Sequence, residues 1–293
     1  MRGKTLSRGL MIVVAGVTCS LCGCNQTDSA QDRPRVAAGV AMQDVRFRSA
    51  ALKREMPYRV FLPEKLPAGQ KLPVVYLLHG RGQNFQDWSI HSDISRYALQ
   101  GLILVMPEGN SSFYLNAALR PQDRYEDYIT RDLVMDVEAR FPAKTGRGNR
   151  AIVGISMGGF GAVKLALSHP ELYAFAAGLS SAIDVPERQF ALGHARQWWL
   201  FRSIFGPMGS AERAARDPFS MVLHADPKAA PYLYLTVGEQ EPLLEPNQRF
   251  AELLKKQGFA FEFHTMPGLH DWTQWAAQIP GCFEGLLREL RKA

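Results

Sequence analysis

A serine stands between two glycines in Ala151-Ile152-Val153-Gly154-Ile155-Ser156-Met157-Gly158-Gly159-Phe160-Gly161-Ala162. Its hydroxyl could attack a carbonyl carbon, provided a neighbouring base takes the proton. The Gly-x-Ser-x-Gly spacing has a steric reason. Where a strand reverses sharply into a helix, the serine is held in a strained conformation, and side chains two positions before and after it would collide. The flanks suit this geometry: an apolar run reads as a buried strand, and Ala162, Val163, Leu165, Ala166 and Leu167 read as a buried helix.

A serine hydroxyl is a weak nucleophile at neutral pH, so a histidine must accept its proton and an acid must hold that histidine in one tautomer. On a strand-turn-helix scaffold of this kind the order along the chain is serine, acid, histidine. Of seven histidines, only His264 and His270 follow the last strands closely enough. His264 lies inside the alternating run Phe259-Ala260-Phe261-Glu262-Phe263-His264 and reads as a strand residue, whereas His270 sits in the loop Met266-Pro267-Gly268-Leu269-His270-Asp271-Trp272. His270 is the expected base. The acid belongs to the preceding loop, Val237-Gly238-Glu239-Gln240-Glu241-Pro242, where Glu241 is preferred and Glu239 is the rival. Asp271 reads as the N-cap of the last helix. Two backbone donors must also face the developing oxyanion: the Met157 N–H, and the Arg81 N–H from the turn Leu77-Leu78-His79-Gly80-Arg81-Gly82. His79 is expected to brace that turn.

These groups need a frame. Strands are expected over residues 57–62, 73–78, 102–106, 174–179, 232–237 and 259–266, with helices over 124–141 and 246–257 and at the C-terminus, where Phe283, Leu286, Leu287 and Leu290 share a face. Such alternation implies an α/β fold with a largely parallel sheet covered on both faces. Residues 184–230 interrupt the rhythm with Phe190, Trp198, Trp199, Leu200, Phe201, Ile204 and Phe205, which read as a helical excursion over the sheet's C-terminal edge. These aromatics form either a satellite hydrophobic cluster or the lining of an acyl or aryl pocket. Loops at 84–91 and 111–120 are the other candidate pocket walls.

With 293 residues, 46% of them apolar, the chain fits one large α/β domain. Arg2, Lys4 and Arg8 precede an apolar stretch from Gly9 to Gly23 that is short for a membrane span, so residues 1–23 read as an export signal. Leu21-Cys22-Gly23-Cys24 resembles a bacterial lipobox, which would leave Cys24 as a lipid-bearing first residue; ordinary secretory cleavage nearby is the alternative. Residues 24–41 read as a flexible tether and residues 42–293 as the folded domain. Only Cys282 lies in that domain, so no internal disulfide can form. Removing the signal takes three of the 34 basic residues and none of the 28 acids, and the modest charge that remains asks for no nucleic-acid partner. The histidines lack metal-ligand spacing and no glycine-rich phosphate loop follows the first strand, so neither a metal nor an organic cofactor is expected.

Several segments together resemble the esterase D branch of the α/β-hydrolases, which includes S-formylglutathione hydrolases, feruloyl and acetylxylan esterases, and mycobacterial mycolyltransferases. They are Met56-Pro57-Tyr58-Arg59-Val60-Phe61-Leu62-Pro63, Tyr76-Leu77-Leu78-His79-Gly80 with Trp88 downstream, Tyr125-Glu126-Asp127-Tyr128-Ile129, the serine motif, His169-Pro170, and Pro267-Gly268-Leu269-His270-Asp271-Trp272. The resemblance runs from about Met42 to the C-terminus. It implies an α/β-hydrolase fold and a serine carboxylesterase acting on acetyl, short acyl or feruloyl esters outside the cytoplasm, with Ser156, Glu241 and His270 as the triad. Trp88, Trp198, Trp199 and Trp272 are the aromatics expected at the substrate. Most esterases of this family place an aspartate where Glu241 stands, while the mycolyltransferases use glutamate. The export signal argues against a cytoplasmic formylglutathione thioester. An acyltransferase of the mycolyltransferase type and a catalytically silent binding lipoprotein are the rival readings.

Overall fold

Val74, Tyr76 and Leu78 point to one side of a strand and Val75 and Leu77 to the other, yet all five are fully buried. Helices must therefore cover both faces of the sheet that holds them. The computed structural model describes residues 32–188 and 195–292, which form one compact unit from Arg33 onward. Its eight strands are β1 (Val40–Ser49), β2 (Arg54–Pro63), β3 (Val74–Leu78), β4 (Ile103–Pro107), β5 (Arg150–Ile155), β6 (Phe175–Leu179), β7 (Tyr232–Gly238) and β8 (Phe261–Met266). They lie in the order β1-β2-β4-β3-β5-β6-β7-β8. Pairing is parallel from β4 through β8, whereas β1 and β2 join as an antiparallel ribbon. This is the α/β-hydrolase arrangement.

The four longest α-helices are α1 (Met157–Ser168), α2 (Ala195–Phe205), α3 (Leu244–Gln257) and α4 (Trp272–Leu290). On one face of the sheet, Phe160 and Val163 of α1 and Phe250 and Leu254 of α3 pack with Val74, Tyr76 and Leu78. On the other, Trp275, Ile279, Phe283 and Leu286 of α4 pack with Val75 and Leu77. Every residue of α1 except Ser168 is buried, as its nearly continuous apolar run demands. The regular elements of segment 184–230 that the structure describes are all helical, joined by turns, with α2 as the longest. Phe190 lies outside the described residues, as do residues 1–23, read above as an export signal, and Cys24.

Three differences from the sequence reading have physical causes. The helix expected over residues 124–141 is interrupted by a π-helical stretch, Tyr128–Leu133, whose wider turn a 3.6-residue period does not register. Edge strand β1 had no clear signature because Gln43, Asp44, Arg46 and Arg48 face outward or sit half-exposed, so the apolar alternation is broken. The tether boundary at residue 41 is also too late. The Arg35 N–H donates to the Ser89 carbonyl at 2.7 Å, the Ala37 N–H donates to Ser95 Oγ at 3.0 Å, and β1 begins at Val40. Those bonds join the segment to the folded unit in spite of its polar composition.

Candidate active site

Strand β5 ends at Ile155, and Ser156 takes φ 53°, ψ −113° before α1 begins at Met157. The two glycines of the motif are sterically required. A Cβ on Gly154 would lie 2.0 Å from the Gly158 carbonyl oxygen, and a Cβ on Gly158 would lie 2.2 Å from the Leu78 carbonyl oxygen. The strained serine is held by its own backbone: its N–H donates to Leu179 O at 2.9 Å, and its carbonyl accepts from the Phe160 and Ala182 amides.

Three loops at the C-terminal ends of β5, β7 and β8 bring the predicted triad together. Ser156 Oγ lies 2.9 Å from His270 Nε2, and His270 Nδ1 lies 2.6 Å from Glu241 Oε2. A carboxylate can only accept, so Nδ1 carries the proton and Nε2 is left to receive the one on Ser156. The Glu241 side chain is fully buried. Its Oε1 accepts from Ser180 Oγ at 2.6 Å and from the Gly238 N–H at 2.8 Å, so the negative charge is matched by three donors. Glu239 is exposed, and only its backbone N–H joins the local network, donating to Met266 O. Further bonds stitch the acid and histidine loops together: the Gln240 N–H donates to Gly268 O, and the Gly268 N–H donates to Gln240 Oε1. Asp271 caps α4 by accepting from the Gln274 N–H at 3.0 Å, which fixes the chain just after His270.

The turn after β3 is braced as expected. His79 is fully buried; its Nδ1 donates to Gly80 O at 2.8 Å and its Nε2 accepts from the Gly109 N–H at 2.9 Å. An amide N–H can only donate, so the ring is neutral even though Glu108 stands 3.4 Å away. The Tyr114 hydroxyl donates to His79 O, and the Gly80 N–H donates to Gln83 Oε1. Among the described residues neither the Arg81 N–H nor the Met157 N–H has a protein acceptor, and both residues line the space above Ser156. Two uncommitted donors beside a serine that faces a histidine form a constellation suited to acyl transfer.

Residues 49–286 match the family model described as "Putative esterase". The chain belongs to this esterase family. It is 25% identical over 261 residues to an acetyl esterase of Caldicellulosiruptor saccharolyticus, covering 84% of this chain and 97% of that protein. FphF, a fluorophosphonate-binding serine hydrolase of Staphylococcus aureus, is 25% identical with a TM-score of 0.71 over 82% of this chain and 95% of its own. An S-formylglutathione hydrolase from Agrobacterium tumefaciens, 21% identical, shares the fold with a TM-score of 0.76 over 88% and 98% of the two chains. The chain is a serine ester hydrolase.

The pocket of this esterase, about 350 Å³, is walled by Phe113, Val185, Phe201, Pro242 and Leu243 around Ser156 and His270. Loop 111–120 and the helical excursion therefore contribute, whereas loop 84–91 does not. The expectation at the substrate needs correction for Trp88, Trp199 and Trp272. Trp88 is fully buried with its ring edge-on to Trp272 at 5.6 Å, and Trp272 stacks on His91, so both serve the core and rim away from the pocket. Trp199 is 63% exposed and lines neither the catalytic pocket nor its neighbour, while Trp198 lines the neighbouring cavity. The aromatic beside the histidine is instead Trp275, perpendicular to the His270 ring at 5.0 Å.

Sequence reasoning also passed over Ser180. Its place one residue beyond a central strand, with φ 49°, is the usable signal, because polar residues there face the same crevice as Ser156. Ser180→Ala removes one of three donors to a buried carboxylate and strands a lone pair of Glu241. A fall of roughly tenfold in kcat, with KM little changed, is expected from steady-state kinetics.

Proposed function

We propose that this esterase cleaves small carboxylic esters through an acyl-enzyme formed on Ser156. The observation that carries the reading is the continuous relay from Ser156 Oγ through His270 to buried Glu241, beside two unspent amide donors. Ser156 Oγ attacks the ester carbonyl as its proton passes to His270 Nε2. The carbonyl oxygen, now anionic, takes the Arg81 and Met157 N–H bonds, each worth about 3 kcal/mol at such a site. His270 then protonates the departing alcohol. Water, deprotonated by the same nitrogen, attacks the acyl carbon and releases the acid, while Glu241 keeps the imidazolium oriented throughout.

The acetyl esterase relative favours an acetyl or other short acyl group, for which Phe113 and Phe201 offer apolar wall beside Ser156. A fluorophosphonate should label the chain at Ser156, located by peptide mass mapping; a chain that stays unlabelled, or is labelled elsewhere, would overturn the assignment. Lys and Arg before the apolar stretch, followed by Leu21-Cys22-Gly23-Cys24, support export and a lipid on Cys24. The enzyme would then meet its substrates outside the cytoplasm. In a bacterial host, radiolabelled palmitate should enter the wild type and not Cys24→Ala; equal incorporation in both rules out Cys24 as the lipid site.

A further inference from the structure

Arg188 and Phe201 have two sides. They line the catalytic pocket and also a second cavity of about 510 Å³, whose other walls are Trp198, Arg202, Pro207, Met208 and Arg213. The two spaces therefore adjoin at these residues, on the side of Phe201 away from Ser156. Among the described residues three arginines face it and no carboxylate does.

The three cations are engaged to different degrees. Arg188 is held by Asp184 through hydrogen bonds of 2.8 and 2.7 Å, which neutralises the pair. Arg213 is buried and donates Nε and Nη1 to the Pro186 and Gly206 carbonyls, so its position is set by backbone; among the described residues it has no carboxylate within ion-pair distance, and Asp217 acts on it only through space. Arg202 is half-buried with its guanidinium over the Trp198 ring, 5.4 Å from the centroid, and has no carboxylate partner among the described residues. Residues 189–194 contain no acid that could serve as one. Across the catalytic pocket Arg81 is likewise without a carboxylate partner among the described residues. Asp184, the one acid lining either space among those residues, is already spent on Arg188.

A half-apolar cavity with a guanidinium stacked on an indole suits a weakly hydrated anion carried on an apolar arm. The Trp198, Pro207 and Met208 surfaces would hold the arm, and Arg202 would take the charge. We propose that this cavity binds a carboxylate-bearing arm of the ester substrate, with Arg202 as the residue that selects it. The proposal rests on the esterase reading and narrows it to esters that carry a carboxylate away from the scissile bond.

The carboxylate could belong to the alcohol or to the acyl half, and two matched pairs separate these cases. The alcohol side compares 4-acetoxybenzoate with its methyl ester, and the acyl side compares mono-4-nitrophenyl adipate with methyl 4-nitrophenyl adipate. Each kcat/KM is divided by that ester's rate with hydroxide. On one pair the anionic member should be preferred by about 10 to 100-fold, the range of a charged hydrogen bond. Arg202→Gln should bring that ratio close to one, Arg202→Lys should keep part of it, and added salt should erode it in the wild type. A wild-type ratio near or below one on both pairs overturns the proposal while leaving the esterase reading intact. So does a preference that survives unchanged in Arg202→Gln. Calorimetric binding of 4-hydroxybenzoate and adipate to Ser156→Ala, with and without Arg202→Gln, tests the same contact without turnover. Equal affinity in the two backgrounds for both acids overturns the proposal, and loss of affinity in the double variant supports it.

Discussion

Ser156→Ala is expected to lower kcat for 4-nitrophenyl acetate by roughly 10⁴ to 10⁶-fold, with KM changed far less. Among the described residues the Ser156 hydroxyl is the nucleophile in contact with His270 Nε2, at 2.9 Å. Without it the Arg81 and Met157 amides still polarise a bound carbonyl, so a small residual rate above that of water should survive. Triad members act as a unit, and this sets a second expectation. His270→Ala should cost about as much as Ser156→Ala, and the double variant little more than either alone. Multiplying losses would mean that the two side chains work independently, which the 2.9 Å contact and the single proton it passes do not allow. Retention of wild-type turnover by Ser156→Ala would sink the mechanism.

Glu126→Gln is expected to destabilise the protein by about 3 kcal/mol at pH 7, read from urea unfolding. Lys164 lies on α1, the helix that follows the nucleophile, and its ammonium donates to Glu126 Oε2 at 2.5 Å with only 5% of the side chain exposed. His169, which ends the same helix, donates from Nε2 to Glu126 Oε1 at 2.9 Å. Burial pushes the Glu126 carboxyl up, but the His169 hydrogen bond and the Lys164 charge outweigh it and bring the pKa down from 4.5 to about 2. Burial pulls Lys164 the other way, below its ordinary value, with Glu126 offsetting part of the loss. The lysine thus gains nothing by being inside except through its partner, and removing the charge of Glu126 leaves an ammonium buried without a counterion.

The pH dependence has a definite sign. A carboxyl whose folded pKa is depressed contributes fully above its unfolded value near 4.5, and that contribution is lost as pH falls toward 2. The shift corresponds to about 3 kcal/mol. The stability gap between wild type and Glu126→Gln should therefore be widest above pH 5 and close progressively below 4.5. A gap that stayed constant down to pH 2 would show that the Glu126 charge is not what holds the cluster.

Local chemistry was sufficient for much of this protein. The elbow is written within five residues as a glycine-serine-glycine spacing, and the Gly154 constraint is itself local, since a Cβ there would meet the Gly158 carbonyl, although Gly158 must be bare because Leu78 of β3 lies against it. The strands around it were legible because a parallel sheet buries them on both faces, which writes continuous apolar runs into the chain. His270 followed from its loop and from the order of the triad. The sequence alone thus determined the α/β class, singled out Ser156 and His270 as the pair to be brought together, and narrowed the acid to two glutamates.

Tertiary structure decided what depends on direction. Glu239 and Glu241 share a loop, but Glu241 turns back onto the Gly238 amide and is met by Ser180 from just beyond β6, a contact across 61 positions that no local pattern encodes. Trp88, Trp199 and Trp272 were misjudged for the same reason. A large aromatic ring beside a motif serves core and pocket equally well in composition, and only the packing of Trp88 against Trp272 and of Trp275 against His270 separates the two roles. The wall shared by the two cavities at Arg188 and Phe201 belongs to this second class as well. Backbone strain and burial periodicity are short-range and repeat along the chain, whereas the aim of a side chain is set by whichever distant element packs beside it.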